Sequence, residues 1–117
     1  MILQPEYHAK GWGEEVWIVN NEKYCGKILH FRKGKKCSWH YHLIKSEHFF
    51  CADGKIEITY GWKDDILFSQ SVILEKGDVF EVPVGMRHQM RALMETSLYE
   101  FSTEHQEEDS IRVIKGD

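Results

Sequence analysis

The chain has 117 residues, 42% of them hydrophobic and 29% charged, with 15 Lys and Arg against 19 Asp and Glu and a net charge of −4. That length is one domain with room for one modest core. The acidic balance speaks against a nucleic-acid surface, which would be basic and clustered, and no apolar run approaches the length of a membrane-spanning helix.

The N-terminal MILQPEYHAK has neither the basic start nor the long apolar run of a signal peptide. Cys25, Cys37 and Cys51 are odd in number and form no C-x-x-C pair, which suits a reducing compartment. Cytoplasmic residence is the expectation. Short β-like runs then follow one another, split by turn residues. EEVWIVN (14–20) and KILHFR (27–32) lead to the basic run Arg32-Lys33-Gly34-Lys35-Lys36. That run reads first as a solvated turn, and as a local anchor for an anionic group second. CSWHYH (37–42), EHFFCA (47–52) and KIEITYGW (55–62) come next, with Asp53-Gly54 as a two-residue hairpin signal. Ile56, Ile58 and Tyr60 alternate with Lys55, Glu57 and Thr59, one buried face against one wet face. ILFSQSVIL (66–74), DVFEV (78–82), HQMRALM (88–94) and SLYEF (97–101) complete the series. The acidic stretch around 105–109 is a loose tail or leads into a last strand at IRVIK (111–115). Many short strands with regular turns and no amphipathic helix predict an all-β sandwich or barrel spanning 1–117 as a single domain.

Three of the seven histidines crowd between Gly34 and Gly54. Side chains alternate faces along a strand, so His40 and His42 present two imidazoles to one side, with Trp39 and Tyr41 on the other. Glu47 opens the next strand, where Phe49 and Cys51 share its parity and His48 and Phe50 face away. Two imidazoles and a carboxylate from adjacent strands suit Zn, Fe, Mn, Ni or Cu, and ligand type alone does not choose among them. His88, just after the Pro83-Val84-Gly85 turn, is a fourth candidate that a returning strand brings across the barrel.

Residues 34–54 read G-x5-H-x-H-x4-E-x6-G, and residues 77–88 read G-x5-P-x-G-x2-H. These patterns resemble the two motifs of the cupin superfamily, the small double-sheet jelly-roll barrels. Position 92, where the family often has Asn, is Ala92. The resemblance implies that His40, His42, Glu47 and His88 hold one divalent transition metal. Trp12-Gly13, Lys45-Ser46-Glu47-His48-Phe49 and Val82-Pro83-Val84-Gly85-Met86-Arg87-His88 look like the isomerase domain of type II mannose-6-phosphate isomerases. The family's usual R-A-E-H-W has Lys for Arg and Phe for Trp here, and the guanylyltransferase half that often accompanies it has no counterpart. The resemblance implies isomerisation of a phosphorylated or nucleotide-linked sugar, with Lys45 and Arg87 available to an anionic substrate group. His30 and Glu100 are weak candidates for the base. It also implies a homodimer formed through edge strands, with the 14–20 segment as one contact. Two other readings stay open. One is an Fe(II) dioxygenase with a pocket of Trp39, Phe49, Phe50, Met86 and Met90, and the other is a non-catalytic small-molecule-binding barrel.

Overall fold

The computed structural model describes all residues from Met1 to Asp117. Eleven strands follow in chain order: β1 (Glu6–Lys10), β2 (Gly13–Asn20), β3 (Cys25–Phe31), β4 (Trp39–His42), β5 (Glu47–Asp53), β6 (Lys55–Gly61), β7 (Gln70–Glu75), β8 (Val79–Val82), β9 (Arg87–Ala92), β10 (Thr96–Ser102) and β11 (Ser110–Ile114). Every named strand pairing is antiparallel. One sheet has the order β1-β2-β3-β10-β5-β8, the other β11-β4-β9-β6-β7. Their inner faces enclose a core centred on Phe31, Phe49, Ile56, Ile58 and Leu98, all nearly or fully buried. This is the expected all-β jelly roll, and no helix is long and apolar enough to cross a membrane.

Alternation carries most of the architecture. In β3, Cys25, Lys27, Leu29 and Phe31 are buried while the residues between them are not. In β6, Ile56 and Ile58 are buried between half-exposed neighbours. The β5–β6 turn needs its glycine. Gly54 has φ +99°, and a Cβ there would collide with the Glu95 carbonyl and Thr96.

Several boundaries differ from the sequence expectation. Residues 6–10 form β1, because their backbone pairs with β2 even though their side chains are mostly exposed. The 66–74 segment divides: Ile66–Phe68 is a 3-10 turn capped by the Asp65 carboxylate, which accepts from the Leu67 amide, and only Gln70–Glu75 is strand. In the 37–42 segment the strand begins at Trp39, and β9 ends at Ala92, short of 94.

The acidic stretch takes the second of its two expected courses and leads into a last strand. It makes a 3-10 turn at Glu107–Asp109 and runs into β11, which pairs with β4. Asp109 is buried, and its carboxylate accepts from the amides of Leu43 (2.8 Å), Ile44 (3.0 Å) and Lys45 (2.9 Å). One side chain thus caps the β4–β5 connection. Hydrogen bonds to a charged group contribute about 1.5–3 kcal/mol, and a buried amide left unpaired costs about as much. Asp109→Ala is therefore expected to lower unfolding free energy by about 3 kcal/mol in urea titration, whereas Glu108→Ala, at an exposed neighbour, leaves it nearly unchanged.

Candidate metal centre

Strand parity brings the histidines together. His40 and His42 share one face of β4, and β9 runs beside it with His88 directly opposite His40. The His40 and His88 ring centroids are 4.3 Å apart. One ligand nitrogen from each of His40, His42 and His88 lies within 4.8 Å of the other two.

The hydrogen bonds behind the rings set their chemistry. His40 Nδ1 is 2.9 Å from the Ser38 carbonyl, His42 Nδ1 is 3.1 Å from the Asp109 carbonyl, and His88 Nδ1 is 3.0 Å from the Met86 carbonyl. A carbonyl only accepts, so each Nδ1 carries a proton, and in the neutral imidazole each Nε2 then keeps its lone pair. This backbone support behind an imidazole is common where histidines ligate a metal. Burial, and then the neighbouring His88 and His42, push His40 well below the usual histidine pKa. Burial brings His42 down to about 4, against the pull of Glu47.

Glu47 flanks the cluster from β5. Its Oε2 is 3.2 Å from His88 Nε2, and its Oε1 is 3.6 Å from His42 Nε2. Neither approach is aligned as a hydrogen bond: His42 Nε2, His88 Nε2 and Glu47 Oε2 are buried with no partner. Buried acceptors turned toward one another repel unless something positive lies between them. Three neutral imidazoles and a carboxylate fit a divalent transition metal, which answers that repulsion.

Lys45, beside Glu47, is buried. Its ammonium donates to Glu47 Oε1 (2.9 Å), Glu100 Oε2 (3.1 Å) and His105 Nδ1 (3.1 Å), so all three N–H groups are engaged. Burial alone would lower the lysine, but Glu47 and Glu100 outweigh it and hold its pKa above the ordinary value. For Glu47, burial would raise the carboxyl, but the Lys45 ammonium 2.9 Å away overcomes this and holds it well below the usual range. Glu100 also accepts from Ser102 Oγ at 2.8 Å. The cavity in front of these groups is about 290 Å³, and its wall combines buried charged groups with the rings and side chains of Trp12, Leu29, Phe31, Phe49 and Met90.

Of the remaining expected residues, Arg87 lies outside the chamber. It alternates with His88, so its guanidinium sits on the outer face, 3.6 Å from the Tyr41 ring and bonded to Asp64 Oδ1 at 2.8 and 3.0 Å. His30 is exposed against Ser97 on the outer face of the other sheet. Trp39 is buried on that outer side of β4, where its Nε1 donates to the Asp64 carbonyl. Phe49 and Met90 line the chamber, but Trp39, Phe50 and Met86 do not, and Cys51 packs in the core instead. Residues 32–36 are all exposed and none lines the chamber. Sequence reading missed Glu15, Lys27 and His105. A signal for Lys27 existed: a charged residue in register with the buried Cys25, Leu29 and Phe31 faces inward.

Residues 27–101 match the family profile described as Cupin domain. The chain belongs to the cupin family. It is 32% identical over 69 residues to a mannose-1-phosphate guanylyltransferase of Sinorhizobium fredii, a match covering 58% of this chain but only 14% of that protein. Among solved structures it resembles the capsular polysaccharide assembling protein CapF of Staphylococcus aureus (TM-score 0.80, 16% identity, 92% of this chain and 34% of that one). It also resembles KdgF of a Halomonas species (TM-score 0.75, 13% identity, 88% and 89%). A third likeness is to the oxalate decarboxylase of Bacillus subtilis (TM-score 0.78, 16% identity, 92% and 30%). At these identities the likeness is one of fold.

The cupin's neutral histidines predict a pH response. An imidazole held near 4 when folded titrates near 6.5 once unfolded, so below 6.5 the unfolded chain binds the extra proton first. Stability present above pH 6.5 is then lost as pH falls toward 4. In chelator-treated protein the melting temperature should drop across that window, and His42→Phe should flatten the drop.

Proposed function

We propose that this cupin holds one divalent transition metal on His40, His42, Glu47 and His88 and isomerises a small phosphorylated sugar. The observation carrying the reading is the convergence of unpartnered imidazole and carboxylate atoms of His42, His88 and Glu47 on a chamber with buried charged groups in its wall. The similarity to a sugar-phosphate enzyme over 69 residues supports the substrate class.

A bound cation supplies Lewis-acid polarisation of a carbonyl and its neighbouring hydroxyl. The chain's own groups do the rest. His40, His42 and His88 keep their lone pairs forward because backbone carbonyls hold their Nδ1 protons. Lys45 holds Glu47 and Glu100 in place. Glu100 is the carboxylate on the chamber wall suited to take the proton from one carbon and return it to the next. His30, on the outer face, cannot serve. Natively purified protein should contain about one equivalent of metal per chain by elemental analysis. It should also exchange the C2 proton of one sugar phosphate with solvent deuterium, and Glu100→Gln should slow that exchange by about a hundredfold or more. Metal without exchange on any sugar phosphate would leave a binding barrel instead.

We also propose that the protein is a cytoplasmic homodimer. Its three cysteines are free and buried, as suits a reducing compartment. On the outer face of the six-stranded sheet, Tyr7, Val16, Ile28, Tyr99, Phe50 and Val79 stand side by side across all six strands. Tyr7 is 66%, Val79 61% and Tyr99 39% exposed, while Val16 within the row is buried, so the exposed apolar surface lies toward the two edges and at Tyr99, a pattern suited to an interface. Light scattering should give twice the chain mass, and Tyr99→Glu should give the monomer mass with an unchanged circular dichroism spectrum.

A further inference from the structure

We propose that Lys27 anchors the anionic group of the ligand, forming an oxyanion subsite on the wall of the six-stranded sheet that faces the histidine-bearing sheet. This deepens the functional reading above, on which it rests, by naming the residue that selects a small hydroxylated molecule bearing one phosphate or carboxylate.

The other cations around the chamber are spoken for or misplaced. Lys45 has three protons and three acceptors. Arg87 faces outward, stacked on Tyr41 and held by Asp64. Lys10 is half-exposed on β1, Arg112 and Lys115 are exposed at the mouth, and Arg112 leans on Glu107 at 3.4 Å. Lys27 differs from all of them. It is 3% exposed, and its ammonium makes one long contact, 3.4 Å to Glu15 Oε1. The nitrogen also lies 4.3 Å from the Trp17 ring. An ammonium has three donors, and a buried one with a single long protein contact keeps two free for the oxygens of a ligand or of water.

Its position is suited to that task. Lys27 stands between Trp17 and Glu100 in a cross-strand row on the inner face, and Glu100 is followed there by Phe49. The aromatic ring favours a cation beside it and limits its hydration. Charge points the same way. The buried wall pairs two ammonium groups, Lys27 and Lys45, with three carboxylates, Glu15, Glu47 and Glu100. A divalent cation on the histidines turns that net negative charge into a single positive one, which accommodates one anionic group. An anion on Lys27 and oxygens toward the histidines would orient a small ligand across the chamber at both ends.

The test uses natively purified protein of measured metal content, titrated calorimetrically with inorganic phosphate and, separately, with acetate. Binding of at least one anion is expected, and the stronger of the two identifies the group. Lys27→Met/Glu15→Gln, which removes both buried charges together, should bind it about tenfold more weakly or worse. Lys27→Arg should retain binding, and Arg87→Ala should match the unaltered protein. The quenching of tryptophan emission that accompanies binding should vanish in Trp17→Phe. No anion binding by the unaltered protein, or equal affinity in the double variant, overturns the assignment. Protein lacking metal yet binding the anion through Lys27 would overturn the isomerase reading and leave the subsite standing. Deuterium exchange that persists at full rate in a double variant of unchanged anion affinity would do the reverse.

Discussion

Three bonds from imidazole Nδ1 to backbone carbonyls govern the interior of this barrel. Each fixes a tautomer, and together they aim three lone pairs at one point. Without them the rings could rotate or present an N–H, and Glu47 would have donors to satisfy it. With them, a carboxylate oxygen and two imidazole nitrogens are buried without partners. Everything around the centre answers that concentration of electron pairs. Lys45 neutralises the second Glu47 oxygen, Glu100 and His105 use its remaining protons, and Asp109 holds the loop from which Lys45 projects.

The carbonyls come from three unlike sources. Ser38 lies just before β4, Met86 sits in the turn before β9, and Asp109 belongs to the acidic stretch far along the chain. The first two are local consequences of strands entered from a turn, since each histidine reaches a carbonyl two residues earlier. The third is long-range and joins the histidine strand to the C-terminal segment. The chamber therefore belongs to both sheets and to the tail.

The all-β architecture was legible because alternation and turn residues are local signals. Ile56 and Ile58 face the core as their spacing demanded, and Gly54 occupies the positive-φ position that an Asp-Gly pair announces. The histidine cluster was legible for the same reason: parity alone puts His40 and His42 on one face, and a register pair brings His88 opposite. Segments whose structure depends on distant partners were less visible. β1 carries little hydrophobic alternation and is a strand because β2 offers it an edge. Residues 105–109 left a loose tail and a lead-in to a last strand both open, because the amides that Asp109 caps lie more than sixty residues away. Arg87 was misplaced for a simpler reason: adjacency to His88 in sequence means opposition across the sheet.

Asp109 also joins two events that would otherwise be separate. Its carboxylate ties the loop before β5, and its carbonyl braces His42, so seating of the 107–114 segment and the aim of one imidazole rise and fall together. For the proposed cation, thermodynamic reciprocity would then apply: whatever docks this segment more firmly would sharpen its capture, and capture would return the same free energy to the segment. The far end of the chain works as a brace whose fit reports on the occupancy of the chamber.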